Sequence, residues 1–377
     1  MNFLKSIFNK FFAKKFTCPY CMWQCNIKDV LYVCPVCGNS TKPGIFAREP
    51  IKCSQPGCGG IATVRRCPNP ICNENIPASM LETINLPFSI VGVATSGKTN
   101  YITVMLNELG KCPGLKLSLS PANQDTREIQ EHNRHNIYDI NTPAEGTEGG
   151  YSTPQIWNIK NLAKKTRNTV PTYTFTIFDG AGEDYEKRLD PASTVCRYIS
   201  TSKAILIALD PLILPGVRKF ISQDALRASR GDSGEDKDSA YVVNKLAEYI
   251  KSAWGIRTGK LLDIPAAIML TKFDMLLNHS DFASNALVKN PGLAIDSTGH
   301  INKTEFKQVD QEIRDWLYSI GEGNFINAVA SHFKEYLFFG VSSFGCAPDL
   351  KRNLKYIKPH RVLDPVMWLF MKAGFID

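Results

Sequence analysis

The stretch that most constrains this chain is a glycine-rich run, Gly92–Thr99, which reads Gly-Val-Ala-Thr-Ser-Gly-Lys-Thr. The apolar residues 88–91 precede it, and apolar residues with helical spacing follow it at 102–109. The order G-x-x-x-x-G-K-T between a strand and a helix is typical of a phosphate-binding P-loop. Glycines let successive backbone N–H groups face one point, and the positive end of the following helix attracts an anion there. The pattern therefore predicts an α/β fold with a phosphate site.

The loop residues have predicted roles in that site. Lys98 should reach the outer phosphates, and the hydroxyl of Thr99 should ligate Mg²⁺. The residues expected at the nucleotide are Gly92, Thr95, Ser96, Gly97, Lys98, Thr99 and Asn100. A glycine-rich turn that matches by chance is the alternative, but the flanking strand and helix patterns argue against it.

A second motif follows the strand-like run Tyr173–Phe178, where the chain reads Asp179-Gly-Ala-Gly182-Glu183. A carboxylate at the end of a buried strand beside the P-loop is suited to hold Mg²⁺, commonly through water. Gly182 lets a backbone N–H approach the outermost phosphate, and this segment should move after hydrolysis. A plain surface turn is the alternative interpretation of Asp179.

A third motif, Thr271-Lys272-Phe-Asp274, follows the apolar run 266–270. The carboxylate of Asp274 can accept both the ring N–H and the exocyclic amine of guanine, whereas adenine offers no such pair. A site built this way rejects analogues that leave its polar groups unpaired. Lys272 should lie along the base, and Thr271 should tie this loop to the P-loop. The motif favours GTP over ATP.

In order, Gly92–Thr99, Asp179–Gly182 and Thr271–Asp274 resemble the signature motifs of translation-factor and Ras-type GTPases of the TRAFAC class. Ser342 and Ser343, after the run Tyr336–Gly340, are similar to the last base-contacting loop of those proteins. The resemblance implies a P-loop NTPase with a Ras-like, mostly parallel sheet covered by helices on both faces. The predicted GTPase domain spans residues 84–377. It would hydrolyse GTP to GDP with Mg²⁺, held by Thr99 and Asp179.

Three shorter strings are similar to the bacterial double-GTPase (DO-GTPase) group. They are Asp179–Glu183, Leu209–Pro211 and Asp364–Leu369. Members of that group occur with zinc ribbons and in conflict-related gene neighbourhoods. The resemblance thus implies a switch in bacterial conflict or stress signalling.

The chain departs from the Ras pattern at the water-orienting glutamine, where it carries Glu183. A carboxylate there could accept a proton from the attacking water, but it would repel the phosphates without a nearby cation. We expect slow turnover unless a partner supplies an arginine. Arg218, Arg227 and Arg230 are internal candidates for that arginine, and a solvated surface position is the alternative for each.

The switch threonine should lie in the loop 141–154, before a strand predicted at 155–160. Its candidates are Thr142, Thr147 and Thr153. Thr147 is preferred as a catalytic residue alongside Lys98 and Glu183, because nearby glycines leave its loop free to order and release.

Nine of the twelve cysteines lie between Cys18 and Cys72. Such clustering in a cytosolic chain favours metal over disulfides. Consecutive hooks predict two tandem zinc ribbons, at 17–42 and 50–76. The first would use Cys18, Cys21, Cys34 and Cys37, and the second Cys53, Cys58, Cys67 and Cys72. With four protein ligands each, both sites should be structural. Cys25 should be a small buried residue.

Residues 1–16 form a predicted basic amphipathic helix, with its phenylalanines on one face. This face could lie in a membrane surface or pack on protein, and residues 2–16 are therefore a candidate for peripheral membrane contact. The chain carries no apolar run of about 20 residues and no secretory cleavage pattern at its start. The expected location is cytoplasmic, with membrane association left open.

The net charge of +8 does not require a nucleic-acid partner. Residues 1–80 hold ten Lys and Arg against three Asp and Glu, and two zinc–tetrathiolate sites would lower the total to +4. The ribbons are therefore interpreted as an adaptor for a protein partner. A GTP-binding scaffold without useful hydrolysis and a nucleic-acid-associated NTPase remain the alternatives; the sequence does not set the oligomeric state.

From residue 86 onward, strands alternate with helices, which predicts a mostly parallel sheet. The predicted strands are 87–92, 155–160, 172–178, 203–209, 264–270 and 336–342, with 155–160 antiparallel to 172–178. The predicted helices are 98–110, 124–138, 237–254, 305–318 and 364–373.

Overall fold

The computed structural model describes residues 15–44, 47, 50–92, 95–112, 114–115, 117–145, 153–160, 172–179, 194–221, 239–277, 282–291, 300–374 and 376. At Thr172, Asp179 and residues 194–196 it describes the backbone. Within these ranges, no helix is both long enough and apolar enough to cross a bilayer.

In the cysteine-rich N-terminal part, the described residues form five short strands. β1 (Lys15–Thr17) pairs antiparallel with β2 (Gln24–Asn26). β3 (Leu31–Val33) lies between β4 (Ser40–Thr41) and β5 (Val64–Arg66), also antiparallel. Since β5 pairs directly with β3, residues from both of the predicted ribbons share one sheet.

A larger sheet of seven strands, counted over the described residues, forms the centre of the remaining chain. In chain order the strands are β6 (Ile84–Val91), β7 (Ser118–Pro121), β8 (Gln155–Lys160), β9 (Thr172–Asp179), β10 (Ala204–Leu209), β11 (Ala266–Leu270) and β12 (Tyr336–Gly340). Across the sheet the order is β7-β8-β9-β6-β10-β11-β12. The five strands β9, β6, β10, β11 and β12 run parallel to one another. Strand β8 is antiparallel to both of its neighbours, β7 and β9.

Helices cover both faces of this sheet. The helices of the described residues are α1 (Ser79–Glu82), α2 (Lys98–Lys111), α3 (Gln124–Arg134), α4 (Thr194–Thr201), α5 (Pro215–Arg218), α6 (Ser239–Ala253), α7 (Lys303–Ser319), α8 (Gly323–His332) and α9 (Asp364–Lys372). Of these, α1 packs its Leu81 against the cysteine-rich part rather than on the sheet. Side chains of α2 and α9 share one buried cluster, and those of α4, α6 and α8 share the other. Strand β10 divides between these clusters at alternate residues, because successive side chains of a strand point to opposite faces.

The mixed α/β architecture, the mostly parallel sheet and the antiparallel pairing of β8 with β9 confirm the sequence predictions. The structure adds β7 at the edge, together with α4 and α8. It also ends the α-helical part of the segment 124–138 at Arg134, where a π-helical turn, His135–Asp139, follows.

Candidate nucleotide and metal sites

The predicted nucleotide residues come together because their strands are parallel. β6, β9, β10, β11 and β12 end at one edge of the sheet, and the loops after them begin there. Ile90 is in register with Asp179, and Leu270 is in register with Gly340. The carboxyl edge of a parallel sheet is where open α/β proteins bind ligands.

Two glycines of the predicted P-loop are required for different physical reasons. A Cβ at Gly92 would lie 2.2 Å from the carbonyl oxygen of Ala208, so only glycine fits against β10. Gly97 has φ +79° and is the N-cap of α2, a left-handed conformation that glycine adopts readily. The loop therefore presents the amino end of a 14-residue helix at this edge.

Lys98 is buried beneath this loop, with 7% of its surface exposed. Its Nζ donates to the carbonyl oxygen of Gly92 at 3.0 Å, which holds the ammonium group beside the end of β6. The neighbouring Ser96 hydroxyl is fully buried and has no hydrogen-bond partner among the described residues. A buried, unsatisfied hydroxyl beside a buried ammonium fits a phosphate oxygen as the missing partner.

Asn100 and Thr142 serve local structure. The Oδ1 of Asn100 accepts the backbone N–H of Ala144 at 2.8 Å, which ties α2 to the first part of the predicted switch loop. The backbone N–H of Thr142 donates to the carbonyl oxygen of Asn136 at 2.8 Å, and its hydroxyl donates to the same atom at 3.3 Å. Thr142 is thus engaged in a turn, while Thr153 lies just before β8.

The segment after β11 is fixed to β10. Both the backbone N–H and the hydroxyl of Thr271 donate to the carbonyl oxygen of Leu209, at 2.9 and 3.2 Å. Lys272 has φ +49°, an uncommon conformation for a residue with a side chain. Its Nζ lies 2.6 Å from the Oδ2 of Asp210. Among the described residues, Thr271 ties its loop to the neighbouring strand rather than to the P-loop.

Asp274 and Ser342, which are both predicted base contacts, touch each other. The Ser342 hydroxyl donates to the Oδ1 of Asp274 at 2.6 Å, although the two residues are 68 positions apart. Burial raises the pKa of the Asp274 carboxyl above its ordinary value, and the Ser342 hydrogen bond partly opposes that rise. Ser342 also exchanges two backbone hydrogen bonds with His360, which fixes the loop that contains Ser343.

Sequence reasoning missed Asp210 as a site residue. Its side chain is 8% exposed, and it holds the Lys272 ammonium through Oδ2 while Oδ1 accepts the backbone N–H of Leu212 at 2.9 Å. Its position directly after β10 was the available signal, because polar residues at that end of a parallel strand face the site.

The remaining predicted residues receive no test. Thr147, Gly182, Glu183, Arg227, Arg230 and residues 1–14 lie outside the described residues, and the Asp179 side chain does too. Arg218 is described, and its guanidinium donates to the carbonyl oxygens of Leu212 and Ile213. That contact holds the turn after β10.

The eight predicted zinc ligands form two clusters, but the predicted tandem pairing is wrong. One cluster contains Cys18, Cys21, Cys67 and Cys72, and the other contains Cys34, Cys37, Cys53 and Cys58. The second quartet lies inside the loop that the first closes, so the ribbons at 17–42 and 50–76 are not separate units. The antiparallel pairing of β3 with β5 brings Cys67 back toward Cys18 and explains this nested order.

Both clusters fit zinc. Within each, the four sulfur atoms lie within 4.8 Å of one another. The outer cluster has sulfur–sulfur distances of 3.8 Å for Cys18–Cys72 and for Cys21–Cys67. A tetrahedral zinc site with Zn–S bonds of about 2.3 Å has sulfur–sulfur edges of about 3.8 Å. Cys25 is buried, with 3% of its surface exposed, as expected.

Comparison with known proteins gives a match that extends over nearly the full length of the chain. No protein-family model matches the sequence. The chain is 22% identical over 402 residues to SaeC of Mycolicibacterium smegmatis, whose proposed role is ESX-1 scaffolding and assembly. The match covers 95% of this chain and 99% of that protein.

Solved structures of GTPases give weak matches. The Arl6 (BBS3) small GTPase from Trypanosoma brucei with bound GppNp has a TM-score of 0.27 at 15% identity, covering 77% of this chain and 98% of that chain. The GTP-bound Ski7 GTPase-like domain of S. cerevisiae has a TM-score of 0.34 at 14% identity, covering 77% of this chain and 50% of that chain. At TM-scores this low, the likeness does not establish a common fold. Any function must therefore be inferred from the residues of the site and not from these matches.

Proposed function

We propose that this protein binds GTP at the carboxyl edge of the large sheet and hydrolyses it to GDP, as a molecular switch. The observation that carries the proposal is the contact between Asp274 and Ser342 at the same sheet edge as the P-loop. Two separate segments predicted to read guanine meet there, and no sequence proximity explains it. Gly92 and the buried Lys98 supply the phosphate end of the same edge.

Within this proposal, the backbone N–H groups of residues 92–99 and the Lys98 ammonium bind the phosphates, and Lys98 offsets charge that develops during in-line attack by water. The Ser96 hydroxyl gains a phosphate oxygen as its partner. Thr99 and Asp179 would hold Mg²⁺, which supplies further charge neutralisation when bound. Glu183 would place the attacking water, with an arginine from a partner protein to complete the site.

The nested cysteine-rich module would serve as the adaptor for that partner, and residues 2–16 for a second contact on protein or membrane. The resemblance to double-GTPases extends the proposal to bacterial conflict or stress signalling.

Nucleotide competition on the purified full chain tests the proposal. Labelled GDP should be displaced by GTP and not by ATP at the same concentration, and the Lys98→Ala variant should lose binding. Arg257→Ala, at a site away from this edge, is the control. Equal displacement by ATP refutes the assignment of guanine.

A GTP-binding scaffold without useful hydrolysis is the second candidate, favoured by the scaffolding and assembly role proposed for SaeC over nearly the full length of both chains. Single-turnover hydrolysis by the wild type and by Glu183→Gln separates the two. A scaffold binds GTP but turns it over in neither chain, even with cell extract added, whereas a switch turns it over in the wild type.

A further inference from the structure

The two cysteine clusters contain a pair of equivalent turns that differ at one residue. In the inner turn, Cys34-Pro-Val-Cys37 is followed by Gly38, with φ +73°. The N–H of Gly38 donates to the carbonyl oxygen of Cys34 at 2.8 Å. In the outer turn, Cys18-Pro-Tyr-Cys21 is followed by Met22, with φ +58°, and its N–H donates to Cys18 at 2.9 Å.

At this left-handed position the outer turn thus has a methionine, Met22, where the inner turn has a glycine, Gly38. A residue with a side chain is strained in that conformation. Gly38 shows that the turn itself does not need a side chain there. A favourable contact of the Met22 side chain must then offset the backbone strain.

The side chain of Met22 is inserted among residues of the large sheet and its helices. It is 6% exposed and belongs to the same buried cluster as Val91, Phe178 and Tyr198. The hydroxyl of Thr201 donates to its Sδ at 3.3 Å. The rings of Phe178 and Tyr198 stack at 4.1 Å, which joins β9 to α4 at this place.

Met22 lines one small cavity together with Pro87 of β6 and Thr176 of β9, and these two strands continue from there to the candidate nucleotide site. Val91 directly precedes Gly92 of the P-loop, and Phe178 directly precedes Asp179. Helix α4 begins at Thr194, after the segment predicted to sense the outermost phosphate. Packed elements therefore run from Met22 toward the nucleotide loops.

We propose that Met22 couples the outer cysteine cluster to the nucleotide site. A metal held by Cys18 and Cys21 fixes the turn, the turn fixes Met22, and Met22 holds α4 against β6 and β9. Metal at this cluster and GTP at the sheet edge then favour each other's binding, because linkage between two sites is reciprocal. This inference rests on the proposed function for its nucleotide half.

The test uses the full chain with Met22→Gly, which suits the left-handed turn and removes the side chain. We expect two zinc ions per chain to be retained, amide hydrogen exchange across 194–201 to accelerate, and affinity for a non-hydrolysable GTP analogue to fall about five-fold or more, with GDP less affected. Met22→Leu keeps an apolar side chain of similar volume and should behave as wild type. Val36→Ala, an exposed position of the inner turn, is the matched control.

The reciprocal measurement follows zinc release to a chelator. The GTP analogue should slow release of one of the two zinc ions in the wild type and in Met22→Leu, but not in Met22→Gly. Unchanged exchange across 194–201 in zinc-replete Met22→Gly overturns the coupling. A wild-type chain that binds no guanine nucleotide overturns the proposed function instead, and the exchange measurement distinguishes these two failures.

Discussion

The hydroxyl of Ser342 lies 2.6 Å from the Oδ1 of Asp274, and this contact joins the loops after two neighbouring parallel strands. The same hydroxyl accepts the backbone N–H of Gly345 at 2.8 Å, which fixes its donor direction toward the carboxylate. Ser342 thereby orients Asp274 and favours its ionised form. A carboxylate held in one direction is prepared to accept two N–H groups of a base in the same plane.

The Ser342→Ala variant should therefore weaken GTP binding by about 10-fold, the loss of one hydrogen bond to a charged group. The pKa of Asp274 should rise further, because the group that opposes the effect of burial is gone. Titration with a fluorescent GTP analogue measures the change. Ser331→Ala, which removes a hydroxyl that caps the end of α8, is the control and should bind as wild type. Equal affinity in both variants would show that Ser342 does not orient the base contact.

Asp274→Asn should shift nucleotide preference from GTP toward XTP, because an amide can donate to the xanthine oxygen where the carboxylate accepted from guanine. GTP affinity should fall by at least about 100-fold, as at sites whose polar groups are left unpaired. Direct competition between the two nucleotides measures this, and unchanged GTP affinity contradicts the assignment.

The same variant should not lose stability. Because the pKa of Asp274 is raised in the folded state, the folded chain holds that proton more tightly than the unfolded chain does, and the ionised group costs stability at neutral pH. The nucleotide-free variant should melt at or above the wild-type Tm. A lower Tm would mean that Asp274 acts in folding rather than in recognition.

His360 gives the fold a specific acid sensitivity. Its Nε2 lies 2.8 Å from the carbonyl oxygen of Val288, and burial lowers its pKa to about 4. The folded chain keeps the ring neutral, whereas the unfolded chain takes up a proton near pH 6.5. The resulting stability is complete above pH 6.5 and is lost as the pH falls toward 4, by about 3 kcal/mol in all.

His360→Gln keeps an N–H donor for Val288 and removes the titration. Its unfolding free energy should decline less between pH 6.5 and 4.5 than that of the wild type, as measured by denaturant titration at several pH values. His332, whose pKa burial also lowers, titrates in both chains, so the difference between the chains isolates His360. Parallel pH profiles would contradict the prediction.

Arg361 joins the loop after β12 to α7, to α9 and to the segment that contains Leu287. Its side chain is 1% exposed and contacts Asp364 at 2.6 Å, Glu305 at 3.0 Å and the carbonyl oxygen of Leu287 at 2.6 Å. Removing one partner of a buried charge network leaves the others uncompensated, at a cost of about 3–5 kcal/mol. Arg361→Ala should therefore lower Tm markedly in thermal melts. Lys334→Ala, which breaks an exposed pair with Asp263, should leave Tm nearly unchanged.

The sequence predicted the large sheet well, because each long strand is a continuous apolar run followed by a motif or a turn. β10 is buried at every position and could be identified from composition alone. β7 was missed because it has four residues and ends in proline. α8 was missed because it begins at a glycine and follows α7 closely, without a cap residue as a signal.

At the candidate site, the sequence predicted which loops would meet but not what each side chain would contact. Asn100 bonds to Ala144, and Lys272 bonds to Asp210. Such contacts depend on which loops become neighbours in three dimensions. The predicted grouping of the cysteines was wrong for the same reason. Sequence spacing identifies two cysteines that bind the same metal. Which second pair of cysteines completes each cluster is decided by the pairing of β3 with β5.

The nested cysteine pairing predicts the zinc content of cysteine variants. In the double variant Cys18→Ala/Cys72→Ala, both substitutions fall in the outer cluster, so one zinc ion per chain should remain. Under tandem pairing the same substitutions would damage both sites and leave none. Cys18→Ala/Cys34→Ala is the matched control, since it damages one ligand of each cluster in the nested order and should lose both ions. Release to a colorimetric chelator after denaturation, checked by elemental analysis, counts the ions. The nested order would be contradicted if the Cys18→Ala/Cys72→Ala variant retained no zinc although the rest of the chain still folded. A cooperative thermal melt would show that it folds.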